Sequence, residues 1–277
     1  MNQLPELPEL QIVPTVSLQP HEETEERRAQ RLIRSLQTEG FLKNPPVVLQ
    51  IRQDPDRYVV LDGANRTTAF KQMGFPHILV QIARSGVEVM SWNHVLRGES
   101  SAPLLEAIRG LAGARLTPTD PQRAPAALQT RQSLMYLVVP GGEVWQLESP
   151  ELQLGARVEL LGRVVKLSEL GFRRERTGAE DLNGLVKLFP DLSCLIVYPR
   201  FEVRDVIEVA ASGGLFPSGT TRFLISPRAL RVNFPLATLA DRSPLESKRQ
   251  VLDEWIRERV EQRRVRYYAE STFLFDE

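Results

Sequence analysis

The sequence predicts an α+β fold in two domains, and three observations carry that prediction. The first is length, since 277 residues can bury one large core or two modest ones. The second is order: strand-like and helix-like segments alternate irregularly, without an internal repeat or a low-complexity tract, as mixed sheets require. The third is the pair of polar, Pro-bearing stretches GESSAP (98–103) and LTPTDPQRAP (116–125), which read as connections. They place a first domain at 1–98 and a second at 99–277.

The opening MNQLPELPELQIVP suits an extended lead-in, because proline fixes φ and removes a donor. A short strand is expected at 12–18. From Glu22 to Glu39 the residues Ala29, Leu32, Ile33 and Leu36 recur at helical spacing with charges opposite, which predicts a surface helix ended by Gly40. Asn44-Pro45-Pro46 stiffens the approach to a strand at 47–51. A turn at 53–56 leads to a second strand at 58–61, and DGANR then opens a helix that turns Ala69, Phe70 and Met73 to a core and stops at Gly74. A strand at 78–82 completes the unit.

In the second domain a short helix is expected at 104–111, then a hairpin of 134–139 and 143–147 around Pro140-Gly141-Gly142. A Val- and Leu-rich helix at 156–170, a buried strand at 194–198 and a helix at 203–211 come next. Strands at 222–225 and 230–234 precede a last helix, for which Ser-Pro-Leu-Glu at 243–246 reads as a capping box.

Bulk charge excludes much. Thirty-five Lys and Arg cancel thirty-five Asp and Glu, so nothing calls for a nucleic-acid or anionic-membrane partner. The basic run RERVEQRRVR (257–266) is interrupted by Glu258 and Glu261 and reads as the solvated face of an amphipathic helix carrying Val251, Trp255 and Val260. No apolar run approaches the roughly 20 residues that span a bilayer. A lone Cys194 in an apolar run and an N-terminus without signal-peptide blocks predict a cytoplasmic protein. His21, His77 and His94 lack the paired spacing of a zinc site.

One segment stands out. YVVLDGANRTTAFKQMG (58–74) reads as strand, tight turn and helix start, where unpaired amides and the positive end of the helix dipole favour an anion. Gly63 permits close backbone approach, Arg66 offers a forked cation, and Thr67 and Thr68 offer hydroxyls, a set that suits a polyphosphate. The same letters also read as an Asp-Gly turn before a Thr-capped helix, and local pattern alone does not separate the two. Glu22 and Glu23 stand where acids commonly stabilise a helix start. Thr220, Thr221 and Arg222 either form a polar turn or meet the carboxylate of a small zwitterion. Trp92 is either packing or the wall of a ligand site.

Together, VPTVSLQPHEET (13–24), the 58–74 segment, SWNH (91–94) and FPSGTTRFLISPRALRVNFPLATL (216–239) resemble the ParB/sulfiredoxin-like superfamily, and within it the free L-serine kinases. The match runs across almost the whole chain, whereas a ParB partition protein would match only the first domain and continue into a helix-turn-helix. The resemblance implies a kinase that converts L-serine to O-phospho-L-serine with ATP or ADP as donor and Mg²⁺. It implies Glu22 as the catalytic carboxylate, with Glu23 a bystander. Asp62, Gly63, Asn65, Arg66, Thr67 and Thr68 fall on its nucleotide-phosphate motif, with Asp62 near Mg²⁺, and Trp92, Thr221 and Arg222 fall on its serine pocket, between the domains. Asn65 stands where relatives often carry His, and it can donate to a phosphate but cannot carry charge. Two other readings use the same motif. A nucleotide-gated DNA-binding or regulatory protein would show salt-dependent DNA affinity. A sulfiredoxin-type reductase would need a reactive cysteine where Ala64 and Asn65 stand.

Overall fold

A computed structural model of the chain describes residues 6–51, 54–84, 86–98 and 100–268. The first part contains β1 (Glu9–Pro14), β2 (Leu18–Pro20), α1 (Glu26–Glu39), β3 (Phe41–Leu42), β4 (Val47–Ile51), β5 (Asp54–Asp62), α2 (Ala64–Gln72) and β6 (His77–Ile82). Five of these strands make one sheet in the order β1-β6-β4-β5-β2. Next come β7 (Val87–Ser91), β8 (Asn93–Arg97), α3 (Ala102–Arg109), β9 (Arg115–Thr119), α4 (Ala124–Gln129), β10 (Met135–Val138), β11 (Val144–Glu148), α5 (Leu154–Ser168), β12 (Arg173–Thr177), α6 (Leu182–Leu188), β13 (Leu192–Val197) and α7 (Val203–Ala211). The chain then runs through β14 (Thr221–Ile225), β15 (Phe234–Pro235), α8 (Leu236–Ala240) and α9 (Leu245–Glu261). A second, antiparallel sheet has the order β12-β8-β13-β10-β11-β9, and β14 pairs with β7 as a separate ribbon. The expected α+β class forms, with the first sheet mixed and the second antiparallel instead of mixed.

β5 shows why the sheet sits where it does. Side chains alternate between faces along a strand, so Tyr58 and Val60 enter a core shared with Val48, Phe70 and Leu79. Val59 and Leu61 face the other way, into a core shared with Leu96, Ile196 and Phe216 of the second part. Both faces are covered, which explains a continuous apolar run instead of an alternating one, and each such side chain contributes roughly 1.5–3 kcal/mol on burial. The parts exchange segments across residue 98: β8 lies in the second sheet, while Phe234, Leu239 and Leu252 fill the first core.

Several expectations need correction. The strand at 12–18 is broken after Pro14 by a 3-10 turn, Thr15–Ser17, before β2 begins. The first long helix begins at Glu26 instead of Glu22, because Phe216 takes the preceding segment into a bridge with Glu22. LTPTDPQRAP is no mere connection: it holds β9, an edge strand that tolerates Pro118, and the start of α4. β3, β7, β8, β12, α6 and α8 have no counterpart among the expected elements. The strand at 230–234 shrinks to β15, since Arg231 and Asn233 adopt φ of 52° and 54°. The capping box at 243–246 does not form. Pro244 is the residue before α9, and the Ser243 amide instead bonds Asp241 at 2.8 Å. α9 ends at Glu261, partway through the basic run, and buries Lys248 and Leu252 while Val251 and Val260 are exposed. The turn expected at 53–56 begins at Gln53, outside the described residues, as do residues 1–5 of the lead-in and Glu99 of the 98–103 connection.

Candidate active site

β2 runs parallel to β5 with Pro20 opposite Val60, so the chain leaving β2 emerges beside the end of β5. His21 and Glu22 are the first residues out. They are held by backbone: the Phe216 amide donates to the His21 carbonyl at 2.8 Å, and the Glu23 amide donates to the Phe216 carbonyl at 2.9 Å. Glu22 Oε2 accepts the amide of Gly219 at 3.2 Å. The site therefore takes one wall from residues near 20 and another from residues near 220.

Asp62 closes β5, and Gly63 turns the chain at φ 96° into α2. A Cβ there would stand 3.0 Å from Pro46, so the turn has room only for glycine. Thr67 makes the first return bond, to the Gly63 carbonyl at 2.9 Å, and the amides ahead of it have no partner within the helix. Arg66 is turned inward, donating to the carbonyls of Asn44 (2.6 Å) and Pro45 (3.0 Å) and to Asp62 Oδ2 (2.9 Å). Arg228 donates to the same oxygen. Burial alone would raise the Asp62 carboxyl, but the two guanidiniums outweigh it and hold it below the usual carboxylate range.

A cleft of about 720 Å³ opens between these walls. Of the residues expected at a site, Glu22, Asp62, Trp92, Thr221 and Arg222 line it. Arg222 stacks over the Trp92 ring at 4.5 Å, and the Trp92 amide donates to the Thr220 carbonyl at 3.0 Å. Gly63, Asn65, Arg66, Thr67 and Thr68 are not among the lining residues. Asn65 Oδ1 accepts the Glu25 amide at 3.1 Å, tying the turn to the segment before α1, and the Thr67 hydroxyl is buried without a partner.

His21, Glu88, Arg176 and Arg228 also line the cleft, and sequence reasoning does not single them out. His21 adjoins Glu22, which is a usable signal. Arg176 sits on the charged strand RRERT, whose letters look like any solvated edge, and Arg228 sits on a loop with no pattern. Cys194 lies in the second sheet, fully buried, with its thiol pushed up to about 12 by burial, which leaves no reactive cysteine beside the turn. Among the described residues no group of three or more His, Cys, Asp or Glu is placed to hold a metal, and no helix is long and apolar enough to cross a membrane.

Residues 1–91 match the ParB N-terminal domain family. That match spans the first third of the chain. After it the chain builds a six-stranded sheet with its covering helices. Over 241 residues the chain is 24% identical to the ATP-dependent L-serine kinase SbnI of Staphylococcus aureus, covering 87% of each protein. A C-terminally truncated SbnI structure superposes with a TM-score of 0.71 at 22% identity, over 91% of this chain and 97% of that one. A free serine kinase in complex with AMP superposes with a TM-score of 0.72 at 15% identity, over 84% and 95%. The chain thus shares the whole-chain fold of these two solved structures, with the ParB-like match lying in its first part.

Proposed function

We propose that the chain is a kinase that transfers the γ-phosphoryl group of ATP to the hydroxyl of free L-serine. One observation supports this most: the Glu22 carboxylate is aimed by a backbone amide into the same cleft that the strand-turn-helix at Asp62 borders. A nucleotide switch has no use for that carboxylate, and end-to-end likeness to proteins named L-serine kinases agrees with a transferase.

The donor phosphates lie at the start of α2, where Gly63 lets them approach the free amides and Asn65, Thr67 and Thr68 complete the turn. Arg66 stiffens the turn from behind and Arg228 flanks it. Serine lies toward Trp92, Thr221 and Arg222. As the serine Oγ–P bond forms and the bond from Pγ to the bridging oxygen breaks, Glu22 takes the hydroxyl proton and ADP departs. Because such transfers pass through a loose transition state, positioning and charge neutralisation do most of the work, and the proton acceptor need not be a strong base.

Mg²⁺ is consistent with these residues, because a phosphate-borne Mg²⁺ takes only one or two carboxylates from the protein. Asp62, with Oδ2 held by Arg66 and Arg228 and a second oxygen remaining, would hold it, and the ion would supply charge neutralisation on the phosphates. ADP fits the same turn and is the alternative donor. A buried, unpaired Cys194 fits a cytoplasmic setting. The test is to incubate the pure protein with L-serine, Mg²⁺ and either ATP or ADP and to look for O-phosphoserine by mass spectrometry. Product with ATP supports the reading, and none with either donor overturns it.

A further inference from the structure

Two of the three histidines are buried against the loop from Gly219 to Thr221, and their hydrogen bonds fix opposite tautomers. His21 Nδ1 lies 2.6 Å from the Val60 carbonyl, and its Nε2 lies 2.9 Å from Thr221 Oγ1. A carbonyl only accepts, so Nδ1 carries the proton. Burial pulls His21 below the usual imidazole range, so Nε2 is bare and the Thr221 hydroxyl donates to it.

His94 is the mirror case. Its Nε2 lies 2.9 Å from the Gly219 carbonyl and must carry the proton, while Nδ1 accepts from the Tyr198 hydroxyl at 3.0 Å. Burial and the charge of Arg174 bring it down to about 3. Gly219 thus receives a proton donor on its carbonyl and, through the preceding peptide group, gives its amide N–H to Glu22.

These tautomers set the polarity of the cleft wall. Thr220 donates its hydroxyl to the Pro217 carbonyl at 2.9 Å and is buried, so Thr221 is the hydroxyl of this loop that lines the cleft. Its only hydrogen points at His21, and what remains for a ligand is lone pairs. An acceptor beside the Glu22 carboxylate suits a cationic N–H and repels a carboxylate.

We propose that Thr221 accepts an N–H of the substrate's ammonium group, with His21 the positioning residue that sets this polarity and His94 the positioning residue that holds Glu22 through Gly219. The substrate carboxylate then falls to the guanidinium side, toward Arg176 and Arg222, whereas sequence alone suggests that hydroxyls and guanidinium meet it together. The proposal rests on the serine-kinase reading.

The test has two arms. Nitrogen-15 spectra of histidine-labelled protein at neutral pH, assigned with His21→Gln and His94→Gln, are expected to show His21 protonated at Nδ1 and His94 at Nε2. Finding His21 protonated at Nε2 overturns the proposal whatever the enzyme does. In the second arm, kcat/KM is compared for L-serine and for 3-hydroxypropionate, which keeps the hydroxyl and carboxylate but lacks the ammonium.

Thr221→Val should cut the preference for serine at least about tenfold, mainly through KM, since a hydrogen bond to a charged group is lost. Thr221→Ser should preserve it. An unchanged preference in a folded Thr221→Val protein overturns the ammonium contact. His94→Gln, which keeps an N–H for Gly219, should retain kcat that His94→Leu loses, and equal loss in both overturns the role of His94. If the wild type phosphorylates neither alcohol, the substrate reading falls and the spectra still decide the tautomers.

Discussion

Arg228 holds Asp62 by the oxygen that Arg66 also holds, from a position 166 residues further along the chain. Local sequence provides one of these guanidiniums, four residues on in the first turn of α2. The other arrives only when the chain has folded back. Asp62 is thereby held ionised in the folded protein, with its charge offset by both guanidiniums.

Asp62→Asn keeps the shape and removes the charge. It should cost about 1–2 kcal/mol in urea denaturation, the lower part of the range for charged hydrogen bonds because the carboxylate is 39% exposed. The folded carboxyl is depressed, so this stability is fully present above the unfolded value of ~3.9 and is lost as pH falls below it. The gap between wild type and variant should therefore be constant at neutral pH and narrow below about pH 4.

Glu22→Gln retains size and can still face the Gly219 amide through its carbonyl oxygen. Turnover should fall by about 10²–10⁴, the usual worth of a positioned proton acceptor. Nucleotide affinity measured by calorimetry should stay within about threefold. Wild-type turnover would show that the hydroxyl proton goes elsewhere.

Gly63→Ala must place a Cβ at φ 96°, 3.0 Å from the backbone and ring of Pro46. Strain of about 1–2 kcal/mol is expected from the left-handed conformation alone. The melting temperature should drop, and nucleotide affinity should weaken with it because the turn that offers the helix-start amides has moved.

Histidine burial carries its own pH signature. The folded pKa of His94 is about 3, far below the unfolded value of ~6.5, so its contribution is complete above pH 6.5 and declines as pH falls. Between pH 6 and 5 stability should fall by approaching 1.4 kcal/mol per pH unit for this group, with His21 adding in the same direction. Denaturant titrations should show a shallower slope for His94→Gln.

Local rules make much of this legible. The helix ending at Gly40, the strand and turn at 58–63, the hairpin around 140–142 and the helix at 203–211 arise from periodicity and turn chemistry. Glu22 loses its expected helix because a backbone bridge to Phe216 outcompetes local propensity. β12 leaves little trace because its letters, RRERT, carry neither apolar alternation nor β-branched bulk until the final threonine. Of the residues expected at a site, Glu22, Asp62, Trp92, Thr221 and Arg222 line the cleft, whereas Gly63, Asn65, Arg66, Thr67 and Thr68 do not. Arg176 and Arg228 are not readable, since each reaches the cleft through tertiary contacts that leave no periodic trace.

The packing of α9 against β1 means that residues near 250 close a core begun by residues near 10. A chain emerging from the ribosome cannot finish that first core until residues near 250 have been made, nor bring Phe216 to Glu22 before residue 216 has been made. Contacts of such long sequence separation slow folding. The turn at Asp62 and Gly63, though encoded early, thus faces a Glu22 held in place only after residues 216–219 have been made.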